Sequence, residues 1–207
     1  MAVAGEQERS KVRRQRILDA ALDVFSRRGY RDAAVDDIAV AAATSKGGVY
    51  FHFRNKQAIF LALLDRMGGM LIRRVEGAMR AAPDPVARGD AALLMVLKTF
   101  AGHRALARLF LVEAMGAGRE FNAAMMEWHA RFAALIKRHL DDAVTQGVIA
   151  PLDTDIASSA WFGAVYEVTV RWLLTGKPHR LEEVYPTLRA ILARSAGLPD
   201  SQGEVSS

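Results

Sequence analysis

The sequence predicts an all-α protein of about nine helices, arranged as a small three-helix head followed by a larger helical body. Three features predict it. Apolar residues recur at three- and four-residue spacing along most of the 207 residues, no stretch alternates as a half-buried strand would, and glycine and proline interrupt the pattern at helix-length intervals. A hydrophobic content of 51% in a chain of this length is enough to bury a sizeable core.

In the head, Ile17, Leu18, Ala21, Leu22 and Phe25 mark a first helix over about 9–28. It stops at "RRGY", where Gly29 supplies a left-handed C-terminal cap. The short segment "VDDIAVAAA" predicts a second helix, with Asp36 and Asp37 in the first turn where the helix dipole favours acids. Ser45 is the expected N-cap of a third helix reaching about Phe51. A tight turn between the second and third helices makes a helix-turn-helix arrangement. Phe25, Ile38, Val49, Phe51 and Phe53 are the expected core of the head.

In the body, a fourth helix covers about 55–81 and breaks at "APDP", where Pro83 and Pro85 forbid its continuation. Helices 5 and 6 occupy about 86–117 with a join near Gly102, and "GAGRE" separates them from a long seventh helix ending near Gln146 and Gly147. Asp153 caps an eighth helix that "TGKPH" stops; a ninth covers about 181–195, and the tail "GLPDSQGEVSS" reads as disordered. These breaks divide the chain into 1–54, 55–197 and a tail at 198–207.

The charge is unevenly divided. Residues 1–56 hold eleven Lys and Arg against seven acids, which is four of the chain's net +5 and leaves +1 for the rest. A basic end on a nearly neutral remainder is the asymmetry of a nucleic-acid-binding module joined to something else. The absence of cysteine removes disulfides, thiolate zinc sites and cysteine nucleophiles, and fits a reducing compartment. The N-terminal stretch "MAVAGEQERSKVRRQR" has no apolar core of signal-peptide type and no uncharged run is long enough to span a membrane, so a cytoplasmic protein with no membrane partner is expected. Neither G-x-S-x-G, H-E-x-x-H, G-x-G-x-x-G nor a Walker pattern occurs. "TGKPH" lacks the upstream glycine and the following Ser or Thr of a phosphate loop. The expectation is therefore no catalytic residue, no metal site and no cofactor.

The run "GYRDAAVDDIAVAAATSKGGVYFHFRNKQAIFLALL" at 29–64 resembles the DNA-binding head of the TetR family of bacterial transcription regulators, most specifically in "SKGGVYFHFRNKQAIF". The match covers about 45 residues including the basic first helix; the body resembles the family only in size, helix count and the turn from Gly147 to Asp153. What the resemblance implies is a dimeric regulator of a palindromic double-stranded operator, by default a repressor, released by a small hydrophobic effector. A nucleoid-type protein binding DNA without sequence preference, and a regulator controlled by no small ligand, are the alternatives.

The resemblance assigns DNA contacts to Thr44, Ser45, Lys46, Gly47, Gly48, Tyr50, His52 and Lys56. Lys46 would read a guanine and Thr44 and Ser45 would touch phosphate or base at the helix start, while Tyr50, His52 and Lys56 would hold the DNA backbone. Tyr50 and His52 also fit a packing role. Adjacent glycines in a helix cost about 1 kcal/mol each relative to alanine. Either their missing side chains let the backbone approach DNA or Gly48 simply faces solvent.

Three positions depart from the family wording. Ala34 stands where a Thr or Ser caps the second helix, Ala43 where the turn has glycine, and Gly48 where a Thr or Ser commonly reaches DNA. The first two each cost about 1 kcal/mol.

In the body, Met67, Met70, Phe100, Phe110, Met125, Trp128 and Trp161 supply soft apolar volume suited to an effector, with His103, Glu113 and His129 placed to orient it. The same residues equally describe an ordinary core with satisfied or surface polar groups. Trp161, Phe162, Val165 and Thr169 of helix 8, with Leu188, Ile191 and Leu192 of helix 9, suit a four-helix dimer interface or burial within one chain.

Overall fold

The first helix, α1 (Ala2–Asp32), begins well before the periodic apolar residues, because "EQERSKVRRQR" contains no breaker. Its regular geometry ends at Gly29, whose φ of 75° and ψ of 166° lie outside both helical wells. The expected glycine break is present, but in extended mirror geometry rather than a left-handed cap, and it turns Tyr30 inward. The computed structural model describes residues 2–113 and 118–198, with side chains from Gly5 onward. The predicted disordered tail therefore lies almost wholly outside the described residues, as do 114–117 beside the predicted "GAGRE" break.

Helix α2 (Val35–Ala41) has Ala34 at its N-cap with no side-chain cap. Asp37 compensates in part, since its carboxylate accepts from the Ala34 amide at 3.3 Å and from the Arg28 guanidinium at 2.9 Å. The turn after α2 forces Ala43 to φ 50°, the left-handed region that an alanine side chain disfavours. Ala43→Gly is accordingly expected to raise stability by about 1 kcal/mol, or about 2–4 °C in melting temperature, without altering DNA affinity beyond twofold. A lower melting temperature would show that this turn is not strained. Helix α3 (Lys46–His52) starts as predicted, with the Ser45 hydroxyl accepting from the Gly48 amide at 3.1 Å.

Next come α4 (Lys56–Arg80) and α5 (Pro85–Gly102), the latter capped by Asp84, whose carboxylate accepts from the Ala87 amide at 2.8 Å. The predicted sixth helix is shorter than expected: α6 (Arg104–Arg108) gives way to one π-helical turn at Leu109–Glu113. Helix α7 (Arg119–Thr145) and α8 (Thr154–Thr175) follow, with Asp153 accepting from the Asp155 and Ile156 amides at 3.1 and 3.0 Å. Gly176 closes α8 in left-handed geometry. The ninth predicted helix divides into a 3₁₀ turn at Leu181–Val184 and α9 (Tyr185–Ser195). Among the described residues there is no strand, and no helix is long and apolar enough to cross a membrane.

Two compact units result, one of residues 1–69 with 105–124 and one of 70–104 with 125–207. The first unit is wider than the 1–54 head read from the motif, because Phe60, Phe110 and Phe121 share one aromatic core with Phe25 and Tyr30. Phe25, Phe60 and Phe121 are fully buried there, each worth about 2–3 kcal/mol of apolar burial. The second unit is built on two clusters. One joins Leu71, Val75 and Leu135, with Phe100 and Phe132 against it; the other joins Leu140, Ala143, Ile149 and Ala196, with Trp161 against it.

Candidate nucleic-acid interface

Buried residues decide which face of α3 is left free. Val49 and Phe53 point into the first unit with Ile38 and Phe25, so Lys46, Gly47, Tyr50 and Phe51 form the opposite, outward face. The expectation that Phe51 belongs to the core is wrong: its ring is 78% exposed. A seven-residue helix anchored by Val49 has only one apolar stripe, and Phe51 lies off it.

The two glycines differ. A Cβ at Gly47 would meet only the Ser45 hydroxyl at 3.9 Å, whereas one at Gly48 would collide with the Thr44 hydroxyl. Gly48 thus serves the packing of the turn, and Gly47 leaves the outward surface bare. Thr44 and Ser45 sit at the start of α3, Thr44 half-buried against Gly48 and Ser45 engaged as the cap.

Lys46 projects outward, but its ammonium is held by the Asp36 carboxylate at 2.9 Å, which raises the lysine above its ordinary range. Sequence reasoning took Asp36 only as a dipole partner of α2 and missed this pair. The ten-residue separation across the turn gives no periodic signal.

Tyr50 is 44% exposed, which suits a phosphate contact better than a core role. His52 is less available. Its Nε2 is buried without a hydrogen-bond partner, and burial, with Arg13 and Arg14 nearby, pushes its imidazole below the usual histidine range.

Lys56 corrects the expectation directly. Its ammonium donates to the carbonyls of Tyr30, Arg31 and Ala33 at 2.8, 2.9 and 2.8 Å, and sits 4.8 Å from the Tyr30 ring centroid. All three donors are engaged inside the protein, where they satisfy carbonyls freed by the break at Gly29. Lys56→Met is therefore expected to cost about 2 kcal/mol of stability, with a melting temperature about 4–8 °C lower. An unchanged melting point with weakened DNA binding would restore the phosphate role.

One basic feature escaped sequence reading. Arg9, Arg13 and Arg16 are exposed, pair with no carboxylate among the described residues, and follow the i, i+4, i+7 spacing of one helix face. Arg14 of the same helix lies 4.9 Å over the Phe53 ring, which brings this part of α1 beside the end of α3. The spacing was visible in "RSKVRRQR" within the predicted first helix, but which of its basic residues are left without a carboxylate partner was set by the tertiary structure.

The residues expected to line an effector site are divided between the two units. Phe110 packs 5.1 Å from Phe60 in the core of the first unit, and Glu113 lies beside Gly29 and 3.6 Å from the Arg108 guanidinium. Met67 belongs to the first unit and Met70 to the second. His103 is exposed. In the second unit Met125 and Trp128 are buried and Phe100 packs against the Leu71 cluster. His129 stands 4.8 Å from the Phe162 ring and 5.2 Å from Tyr166, with its Nε2 buried and unpartnered and its pKa lowered by burial.

The proposed dimer residues also divide. Thr169, Leu188 and Leu192 are buried within one chain, Thr169 donating to the Val165 carbonyl at 2.7 Å. Trp161 packs on the Leu140 cluster and donates to the Ser195 hydroxyl at 2.9 Å. Phe162 and Val165 are half-buried, and Ile191, 54% exposed, is the member left fully available.

His52, His129 and His139 all titrate below 6.5 in the folded chain, chiefly through burial. The unfolded chain then binds more protons than the native one as pH falls through 6.5 toward the folded values, so stability declines across that window. Melting temperature is expected to fall between about pH 7.5 and 5.5, with His139→Gln flattening the slope. A flat profile in the unaltered protein would refute it.

Among the described residues no His, Asp and Glu grouping could hold a metal. Residues 17–63 match the family model of bacterial regulatory proteins of the tetR family. The chain is 26% identical over 180 residues to the fatty acid metabolism regulator protein of Bacillus subtilis (strain 168), covering 85% of this chain and 90% of that protein. It is 29% identical over 150 residues to the transcriptional regulator SrpR of Pseudomonas putida, covering 70% of this chain and 67% of that protein. Its fold matches the fatty acid degradation regulator FadR of Bacillus halodurans with a TM-score of 0.79 at 25% identity, over 86% of this chain and 96% of that one. FadR from Bacillus subtilis, in complex with stearoyl-CoA, gives the same TM-score at 23% identity, over 86% and 96%. A helix-turn-helix with an outward α3 face, in an all-helical chain of this architecture, agrees with these matches: residues 17–63 are a DNA-binding head of the kind found in bacterial regulatory proteins of the tetR family, and the chain is a DNA-binding transcriptional regulator.

Proposed function

We propose that the protein is a cytoplasmic, non-catalytic repressor that binds a palindromic operator as a dimer and leaves it when a fatty-acyl effector binds. The outward face of α3 carries the reading: Lys46 and Tyr50 stand beside a bare Gly47, and the unpaired arginines of α1 lie near the end of the same helix. Such a surface supplies base and phosphate contacts together. A dimer is needed because one head buries too little surface for useful specificity, whereas two spaced about one DNA turn apart read a palindrome. Within each head the DNA contacts are assigned to Thr44, Ser45, Lys46, Gly47 and Tyr50, with phosphates also held by Arg9, Arg13 and Arg16.

The fatty-acyl effector follows from the likeness to a fatty acid metabolism regulator and from the surroundings of His129. A neutral imidazole between aromatic rings offers one donor to a carbonyl and no charge to a cation, which suits an acyl group. The effector acts only through unequal affinity for the two states of the dimer.

The test is selection of bound sequences from a random DNA library at near-physiological salt, followed by addition of free fatty acids and acyl-CoAs of short, medium and long chain, stearoyl-CoA first. An enriched palindrome released by one acyl class is expected, with His129→Phe keeping the operator and losing the response. Binding that fades with salt and enriches nothing would mean non-specific DNA binding. A palindrome that no acyl compound releases would remove the acyl effector and leave the operator reading intact.

A further inference from the structure

We propose that Phe51 is a specificity-determining residue that recognises thymine, packing its ring against the 5-methyl group in the major groove. The inference rests on α3 being the reading helix. An aromatic ring left 78% exposed on a seven-residue helix contributes little to the fold, and its neighbours show what it faces. Gly47, one turn earlier on the same stripe, has no side chain, so Phe51 is the group that projects from that line of the helix. Lys46 and Tyr50 form the adjacent stripe, both exposed.

Phe51 and Tyr50 differ in the one atom that matters. The Tyr50 hydroxyl can donate to a phosphate; Phe51 has no donor, and an apolar ring beside a base edge gains only where it covers apolar surface. Among the four bases only thymine carries a methyl group in the major groove. The ring is also held in place. It stands edge-on to His52 with centroids 5.0 Å apart and an interplanar angle of 88°, and the His52 Nε2 is buried. A preorganised ring loses little side-chain freedom on binding, which favours discrimination.

The experiment uses the full chain and its selected operator, in which each thymine is replaced by deoxyuridine, symmetrically in both half-sites, so that only methyl groups are removed. At one thymine per half-site the substitution is expected to weaken the unaltered protein about fifteenfold, about fourfold for each methyl. Phe51→Ala should bind both operators alike, and Phe51→Leu should retain part of the difference. Because the ring is exposed, both variants should melt with the unaltered protein. Tolerance of uracil at every position, or a uracil penalty that persists in Phe51→Ala, would overturn the assignment while leaving the operator reading in place. Selection of no sequence at all would remove the operator reading and this assignment together.

Discussion

Gly29→Ala is expected to lower the melting temperature by about 3–10 °C. At φ 75° and ψ 166° the backbone occupies a region that is open to glycine and costs a residue with a Cβ about 1–3 kcal/mol. The added carbon would also come within 3.3 Å of the Glu113 carboxylate. The consequence extends beyond one residue. The turn at Gly29 sets Tyr30 edge-on to Phe60 and Phe121 at 4.9 and 5.0 Å, and aims the carbonyls of Tyr30, Arg31 and Ala33 at the Lys56 ammonium. Shifting Gly29 therefore disturbs an aromatic core and a three-carbonyl clasp together. Thermal unfolding of Gly29→Ala beside Lys56→Met and the double variant would show this as non-additivity. Independent, additive losses would mean that turn and clasp are separate features.

Lys46→Ala is expected to cost about 1–3 kcal/mol, or about 5–150-fold, at one base pair of the operator while leaving affinity for unrelated DNA nearly unchanged. Asp36→Asn should act in the opposite sense. It removes a carboxylate from the DNA-facing surface and frees the ammonium it holds at 2.9 Å, so all sequences bind more tightly and the preferred one stands out less. Titration of the selected operator and of single-base variants, at two salt concentrations, separates the effects. An equal loss on every sequence from Lys46→Ala would reassign that residue to the phosphates. Unchanged discrimination in Asp36→Asn would mean that the pair is an incidental surface contact, which many exposed ion pairs are.

Together these changes divide the head into a framework and a reader. Gly29, Tyr30, Lys56 and the buried phenylalanines hold α1 and α4 in place; Lys46, Tyr50 and Phe51 face outward on a helix anchored by Val49 and Phe53. Stability assays respond to the first group and binding assays to the second. The two unusual alanines belong to the framework as well, since Ala34 and Ala43 affect how α2 and its turn are held rather than what α3 presents.

The order of the helices, the caps at Ser45 and Asp153, the stop of α8 at 175–179, the strained alanine at 43 and the resemblance of the head were all legible in the sequence. Each is a local matter: periodicity, a capping hydroxyl or carboxylate, or the conformational range of one residue, set by neighbours within about four positions. What tertiary structure alone decided is which of two polar or apolar residues on the same helix turns inward. Lys56 and Phe51 show it from opposite sides. A lysine expected on the DNA is folded back on three carbonyls contributed from 23 to 26 residues away, and a phenylalanine expected in the core is exposed. Likewise Phe110 and Trp128 look alike in their local pattern, yet one joins the core of the first unit and the other is buried in the second. Periodicity gives the direction of a side chain around its own helix axis, but the distant segment that meets it there is set by packing among elements far apart in sequence.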